Sequence, residues 1–331
     1  MLPKEFLSHI LTQHQQTPPF PATSDIKKLF TKIVLTLFPE QTRKHFSKPE
    51  ELKAVWESIE NGLESLLHSM KDQLSEEPAV IANRFLDRIP AIYDLLQTDV
   101  EAMVAGDPAA TTSYEVIRTY PGFYALAFYR LAHGLHQEKV PLIPRILTEY
   151  AHSKTGIDIH PGAKIGSNFF LDHGFSVIGE TAEIGDNVTM YQNVTLGGTN
   201  PTNGMAGKRH PTILDNVIIG SGAQILGPIT VGERARIGAA AVVTDDVPAG
   251  ATMVGQKARS TLVQAETYAR DFMPYGTPCR EMFDPATQSL EIMQCEIETL
   301  RKKVAEMMEE RDATALDAPA KPRRSKGSTA S

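Results

Sequence analysis

Four short segments carry acidic and basic side chains at points where the neighbouring sequence is apolar or glycine-rich. The chemically active residues in them are Asp107 in "GDPAA", Asp158 and His160 in "GIDIHPGAKIG", Asp172 and His173 in "LDHG", and Lys208, Arg209 and His210 in "GKRHP". An imidazole oriented by a carboxylate can accept a proton from a hydroxyl group, which is the work of a general base. We therefore predict that these segments contain the functional site.

Asp158 and His173 form the pair whose spacing is most informative. They are 15 residues apart in the chain. A carboxylate bonded to one imidazole nitrogen fixes the tautomer and raises the basicity of the other nitrogen. Such a pair is the base and its orienting partner from a catalytic triad, without a protein nucleophile. A single histidine in a turn is more often structural, so the hypothesis depends on the pair.

His160, His173 and His210 offer a competing use, because three histidines can bind a catalytic zinc ion. Their spacing does not choose between the two uses. The sequence contains neither a P-loop nor a GxGxxG motif, so phosphate binding by those routes is not indicated.

The elements that must position these residues are indicated by a repeat of six. After residue 156, apolar residues recur every six positions in three runs, and seven of them are followed by glycine. The positions are Ile159, Ile165, Leu171; Ile178, Ile184, Met190, Leu196; and Ile213, Ile219, Ile225, Val231, Ile237, Val243. This period fits neither a helix nor an alternating strand, and it is typical of a parallel β-helix built from hexapeptides. One coil of three hexapeptides takes about 18 residues, so Asp158 and His173 lie nearly one coil apart and can approach each other.

The rest of the chain divides around this repeat. Residues 1–155 read as an all-α domain of five or six helices, with Ser24 as one N-cap, Ser47 and Glu50 as a capping box, and long helical stretches at about 78–105 and 113–137. The β-helix is predicted over residues 156–260, with a polar loop at 198–211. The fold class predicted is therefore α+β.

The C-terminal part carries a heptad pattern. Its apolar positions are Leu290, Met293, Ile297, Leu300, Val304 and Met307. They predict an extension over 261–311 with a helix at about 286–311, which would form a short coiled coil or lie as an amphipathic helix on its own domain. Residues 312–331 are predicted to be a disordered basic tail.

Composition narrows the function classes. The 331 residues carry a formal net charge of −7, which gives no basic field for nucleic acid. Two cysteines favour a reducing compartment, and neither a secretory signal nor a membrane-length apolar stretch is visible in the sequence. We expect a cytoplasmic protein without nucleic-acid or membrane partners.

Several segments together carry a family likeness. "GIDIHPGAKIG", "LDHGFSVIGETAEIGDNVTMYQNVTLGGT", "KRHPTI" and "IGSGAQILGPITVGERARIGAAAVV" resemble the serine O-acetyltransferases, which are left-handed β-helix acyltransferases. The resemblance spans about residues 105 to 258. It implies transfer of acetyl from the co-substrate acetyl-CoA to the hydroxyl of L-serine, giving O-acetylserine and CoA in the first step of cysteine biosynthesis from serine. It implies no permanently bound cofactor and no metal.

The resemblance also implies roles for individual residues. His173 would be the general base, oriented by Asp158, in a direct attack within a ternary complex. Asp107 and Asp172 would bind the serine ammonium, Arg209 its carboxylate, and His210 would complete the pocket. CoA would lie in a groove between neighbouring β-helices, with Gly197, Ala223 and Gly238 as approximate contacts. The family comparison further implies a homotrimer or a dimer of trimers, with active sites at subunit boundaries.

The sequence departs from the family pattern in two places that matter for function. The loop "NPTNGMAG" before "RHP" is longer than usual, and the chain ends in "STAS" instead of the isoleucine that relatives insert into O-acetylserine sulfhydrylase. We therefore expect no complex with that enzyme. The alternatives are a hexapeptide acetyltransferase with another hydroxyl or amino acceptor, a zinc-dependent hydratase on the same fold, and a non-catalytic scaffold assembled by the coiled coil.

Overall fold

The computed structural model describes residues 2–199 and 207–255. All of these residues belong to one compact unit. The predicted helix at 286–311, the tail at 312–331 and the centre of the 198–211 loop lie outside the described residues.

Eight α-helices precede the strands in the described residues. They are α1 (Lys4–Gln16), α2 (Thr23–Leu37), α3 (Pro49–His68), α4 (Pro78–Asp87), α5 (Ile89–Gly106), α6 (Ser113–Thr119), α7 (Pro121–Gln137) and α8 (Ile143–Thr155), with 3₁₀ turns at Pro39–Gln41 and Lys71–Gln73. The number exceeds the five or six predicted, partly because each of the two long stretches is a pair of helices. Pro90 and Pro121 lie in the first turns of α5 and α7, and proline starts a helix but cannot continue the preceding one.

The predicted helix caps are wrong in detail. Ser24 lies inside α2, whose N-cap is Ala22, and the N-cap of α3 is Lys48 rather than Ser47. Proline in the first turn of α3 needs no N–H acceptor, so the helix begins there without a side-chain cap.

Fourteen short strands follow in the described residues. They are β1 (Asp158–Ile159), β2 (Lys164–Ile165), β3 (Phe170–Leu171), β4 (Val177–Ile178), β5 (Glu183–Ile184), β6 (Thr189–Met190), β7 (Thr195–Gly197), β8 (Thr212–Ile213), β9 (Ile218–Ile219), β10 (Gln224–Leu226), β11 (Thr230–Val231), β12 (Arg236–Ile237), β13 (Val242–Val243) and β14 (Thr252–Met253).

These strands stack into three parallel sheets, as in a left-handed β-helix. Sheet A has the order β1-β4-β7-β10-β13, sheet B the order β2-β5-β8-β11, and sheet C the order β3-β6-β9-β12-β14. All thirteen residues of the six-residue repeat fall on strands β1 to β13, and twelve of them are at most 5% exposed. The exception is the partly buried Ile165 on β2, at the end of sheet B. The predicted fold is confirmed.

The three sheets meet at three edges, and two of these edges carry the predicted site residues. We call the corner where the chain passes from sheet C to sheet A the C/A edge, and the corner from sheet A to sheet B the A/B edge. The loop between β7 and β8 leaves at the A/B edge. No helix in the described ranges is long and apolar enough to cross a membrane.

Helix α7 covers the first coil of the β-helix. The hydroxyl of Tyr129 donates to the carbonyl of Ala163 at 2.6 Å, and Nδ1 of His133 lies 2.8 Å from the carbonyl of Pro161. The first coil is the open end of the stack, where backbone groups have no further strand to pair with. The helix therefore satisfies carbonyls that the sheets leave free.

Candidate active site

Asp107, Asp172 and His173 come together at the C/A edge. Asp107 is the C-cap of α5, while Asp172 and His173 directly follow β3. Oδ1 of Asp172 lies 3.4 Å from Nδ1 of His173. The Asp172 side chain is 7% exposed and the His173 side chain 70%, so the acid is buried beside an imidazole that is open to solvent.

The corner that presents His173 has an unusual backbone. His173, Gly174 and Phe175 have φ angles of 47°, 144° and 59°, in the left-handed half of conformational space. Side chains other than glycine adopt this region at a cost, and such residues cluster at functional sites. Three in succession turn the chain sharply and direct the imidazole outward.

Two hydrogen bonds hold the Asp107 carboxylate. The Tyr120 hydroxyl donates to Oδ2 at 2.5 Å, and the N–H of Ala109 donates to Oδ1 at 2.8 Å. The bond from Tyr120, followed by that from Ala109, lowers the pKa of Asp107. Tyr120 was missed by the sequence interpretation, because its contact joins the start of α7 to the end of α5 and belongs to no motif.

Asp172 is in the opposite situation. Burial raises the pKa of its carboxyl group, and the neighbouring His173 only partly offsets this effect. Its Oδ1 is buried and has no hydrogen-bond partner among the described residues. A buried carboxylate oxygen without a donor is unfavourable unless a ligand supplies one. The position therefore fits a cationic or hydrogen-bond-donating ligand.

The structure pairs Asp158 with Arg145 rather than with His173. Arg145 Nη1 donates to Oδ1 at 2.8 Å and Nη2 to Oδ2 at 3.3 Å, and the guanidinium also pairs with Glu149. The backbone of Asp158 nevertheless lies beside the C/A edge, because its N–H donates to the carbonyl of Ser176 at 2.9 Å. Its role as the orienting partner of His173 remains a prediction. Arg145 was not foreseen, since it lies in a helix without a distinctive motif.

The three-histidine zinc hypothesis finds no support within one chain. His160 and His210 lie at the A/B edge, and His173 lies at the C/A edge. The single group of potential ligands found in the described ranges, with ligand atoms within 4.8 Å of one another, is Glu149, His152 and Asp158. Arg145 already forms ion pairs with both carboxylates of that group.

Arg209 and His210 are organised around Thr181 at the A/B edge. The Thr181 hydroxyl oxygen accepts from the N–H groups of Arg209 at 3.0 Å and His210 at 3.1 Å. His210 Nδ1 accepts from the Thr181 N–H at 3.2 Å and lies 2.9 Å from its hydroxyl, so the remaining proton of the neutral ring is on Nε2. Burial lowers the pKa of His210, with the nearby Arg209 adding to this effect. The Arg209 guanidinium pairs with Glu180.

The His210 ring occupies space that only glycine leaves free. A Cβ atom on Gly179 would lie 2.0 Å from Cδ2 of the ring. The glycine that follows this repeat position therefore leaves room for the His210 ring. Lys208, the remaining residue of "GKRHP", lies 3.7 Å from Glu183.

The predicted CoA contacts divide between the same two edges. Ala223 precedes β10 and Gly238 follows β12, so both lie at the C/A edge, whereas Gly197 ends β7 at the A/B edge. Successive coils are about 4.8 Å apart, which places Ala223 about 10 Å and Gly238 about 14 Å along the edge from His173. The Ala223 side chain is buried, so only its backbone could face a ligand.

The β-helix and its acidic edge with an exposed histidine define the chain as a hexapeptide transferase. Residues 210–245 match the family described as "Bacterial transferase hexapeptide (six repeats)". Within that class, the chain belongs to the serine acetyltransferase family. It is 52% identical over 166 residues to the serine acetyltransferase of Helicobacter pylori (strain J99), covering 50% of this chain and 95% of that protein.

Solved structures agree with this assignment. Serine acetyltransferase 1 of Entamoeba histolytica in complex with L-cysteine is similar with a TM-score of 0.62 and 37% identity, over 69% of this chain and 86% of that one. The serine acetyltransferase of Neisseria gonorrhoeae in complex with serine is similar with a TM-score of 0.50 and 28% identity, over 75% of this chain and 99% of that one.

Proposed function

We propose that this protein is an acyltransferase that moves the acetyl group of acetyl-CoA to the hydroxyl of L-serine, forming O-acetylserine and CoA in the first step of cysteine biosynthesis. Membership of the serine acetyltransferase family supports this reaction. The solved relatives that bind serine and L-cysteine support an amino acid as the ligand. The cytoplasm is the location that the sequence composition favours.

The observation that carries the proposal is the unpartnered Oδ1 of Asp172. This buried oxygen lies next to the exposed ring of His173, with the ionised Asp107 at the same edge. An ammonium group would supply the missing donor and offset part of the negative charge of the two acids. In serine the hydroxyl is only a few covalent bonds from the ammonium group. A serine held in this way by its ammonium would therefore place its hydroxyl beside the imidazole.

His173 is proposed as the general base. Its Nδ1 faces Asp172, which leaves Nε2 free to accept the serine hydroxyl proton as the oxygen attacks the thioester carbonyl. The tetrahedral intermediate then breaks its C–S bond, and the leaving thiolate takes the proton from the imidazolium to give CoA. No covalent enzyme intermediate is needed. Asp158, one coil earlier at the same edge, is proposed to orient the imidazole.

The serine carboxylate is proposed to bind Arg209 and the Nε2–H of His210. In one chain these residues lie at the A/B edge, across the width of sheet A from His173. This separation supports a homotrimer, or a dimer of trimers, in which the A/B edge of one chain faces the C/A edge of the next. Acetyl-CoA would lie in the groove between them, with its acetyl group at His173 and its chain running past Ala223 and Gly238.

The test is thiol release from acetyl-CoA with L-serine, homoserine, a hexose and water as acceptors. We expect release with L-serine to exceed that with every other acceptor, and O-acetylserine to appear in equal amount. If L-serine were no better than water, or a different acceptor were preferred, the substrate assignment would be wrong. Loss of activity after metal chelation, with recovery on adding zinc, would instead support the metal-dependent alternative.

A further inference from the structure

We infer that Asp99 and Arg130, which form a buried ion pair between the helices and the first coil, are positioning residues that hold Asp107 and Asp172 at the right separation for the acceptor ammonium. This inference rests on the proposed function. Neither residue touches the site, and the sequence interpretation singled out neither.

The ion pair is fully formed and cut off from solvent. Asp99 is 0% exposed and Arg130 is 4% exposed. Arg130 Nε donates to Oδ2 of Asp99 at 2.6 Å, and Nη2 donates to Oδ1 at 2.8 Å. This two-point contact fixes the relative orientation of α5, which carries Asp99, and α7, which carries Arg130.

The same two side chains bind the backbone between β2 and β3. Arg130 donates from Nη1 to the carbonyl of Ile165 at 3.3 Å and from Nη2 to the carbonyl of Gly166 at 2.8 Å. Oδ1 of Asp99 accepts from the N–H of Phe169 at 3.1 Å. The pair therefore connects two helices to the corner of the first coil that leads into β3.

Helix α5 and strand β3 run side by side from the ion pair. The helix ends at Asp107 and the strand ends just before Asp172. From Asp99 to Asp107 is eight residues of helix, or about 12 Å. From Phe169 to Asp172 is three residues of extended chain, or about 10 Å. Gly106 packs against the Phe170 ring, where a Cβ atom would lie 3.4 Å away. The matched lengths bring both carboxylates to the C/A edge.

Helix α7 completes the frame from the other side. Its N-cap residue Tyr120 donates to Asp107, and its Gly122 lies so close to β3 that a Cβ atom would be 1.9 Å from the carbonyl oxygen of Leu171. Arg130 lies further along the same helix. Helix α7 therefore contacts both Asp107 and the end of the strand that leads into Asp172. The ion pair fixes the position of this helix on the coil.

An ion pair is suited to positioning because its bonds are directional. A buried pair gains little stability over apolar side chains of similar size, since desolvation of the charges offsets their attraction. Apolar replacements would keep the packing but lose every hydrogen bond to the coil backbone. Loss of positioning can therefore be separated from loss of folding.

The experiment compares the full chain with an Asp99→Leu/Arg130→Met double variant, which leaves no unpaired buried charge. We expect the KM for serine to rise about 10-fold or more, with the KM for acetyl-CoA nearly unchanged and a lower melting temperature, because three backbone groups of the coil lose their partners. Arg130→Lys, which keeps the charge but loses the two-point contact, should have an intermediate KM for serine.

Glu138→Gln is the matched control. Glu138 is a buried acid that binds Arg84 and Arg88 within the helical part, and among the described residues its side chain makes no hydrogen bond to the coil. It should change the melting temperature and leave the KM for serine alone. An active wild type with an unchanged KM in the folded double variant would overturn the inference alone. A wild type that acetylates no serine would remove the proposed function and the inference with it.

Discussion

At the scale of single residues, the two acids beside His173 differ because their partners differ. Asp107 has donors for both oxygens, and its lowered pKa keeps it ionised. Asp172 is buried, its Oδ1 has no partner among the described residues, and burial raises the pKa of its carboxyl group. Binding of an ammonium group would supply the missing donor, so ligand affinity should depend mainly on Asp172.

His173→Asn should abolish most of the catalysis without affecting the fold. Asparagine tolerates the positive φ of this position, and the side chain is largely exposed, so the melting temperature should change little. Loss of a general base should lower kcat about 10²–10⁴-fold with the KM for serine nearly constant. Steady-state kinetics and thermal unfolding of the same preparation check both parts. A variant with wild-type kcat would show that His173 is not the general base.

Asp158→Asn and Asp172→Asn should separate orientation of the base from binding of the substrate. If Asp158 orients His173, its replacement should lower kcat and leave the KM for serine in place. Asp172→Asn should raise the KM for serine about 10–100-fold, because it removes a charged hydrogen-bond acceptor for the ammonium group. Initial rates over a range of serine concentrations distinguish the two. The reverse pattern would identify Asp172 as the partner of the base.

At the scale of elements, the sequence predicted the strands better than the helix ends. Each repeat position such as Ile178 or Ile219 points into a narrow interior, so its identity is set locally by the period. The ends of α2 and α3 depend on proline and on packing instead of a capping side chain, so Ser24 and Ser47 misled the interpretation. The sequence period therefore predicts the strands correctly, because each coil of the β-helix is formed by consecutive short repeats.

Protonation of His133 should lower the stability of the folded protein, because burial disfavours the charged ring. Burial lowers the pKa of His133 below its usual 6.5, although its bond to Pro161 partly offsets this. Below pH 6.5 the unfolded chain therefore binds a proton that the folded chain resists, and stability falls with pH until the lowered folded pKa is reached. Above pH 6.5 titration of His133 should not change the stability.

The matched variant for this prediction is His133→Gln, which can still donate to the Pro161 carbonyl but cannot titrate. Its melting temperature should decline less than that of the wild type between pH 6.5 and about 5. Thermal unfolding at several pH values measures the difference. Parallel curves would show that His133 does not contribute to acid sensitivity.

At the scale of the whole molecule, the proposed site is divided between two edges of one triangular prism. The acids and the proposed base lie at the C/A edge, and the arginine with its neutral histidine lies at the A/B edge. The sequence placed these residues near strand ends, but it could not foresee Arg145, Tyr120 or Thr181. Their contacts join segments far apart in the chain, or use ordinary side chains that no motif marks.

Mixing two inactive variants should restore activity if the site is shared between chains. His173→Asn chains keep an intact A/B edge, and Arg209→Ala chains keep an intact C/A edge. In trimers refolded from equal amounts of both, about one quarter of the sites would combine the two intact edges. Serine-dependent thiol release should then recover to about that fraction. No recovery in confirmed mixed trimers would indicate that each chain builds its site alone.

Equivalent positions along the C/A edge are spaced at regular intervals of one coil. Because each coil adds about 4.8 Å, the positions along this edge can change only in whole steps when a coil is gained or lost. Under the proposed arrangement, the thioester end of the co-substrate is fixed at His173. The number of coils that follow His173 along the edge then determines the length of acyl carrier that the edge can bind. The carrier length that can be bound would then change by one coil at a time. A single substitution could change it only by less than the spacing of one coil.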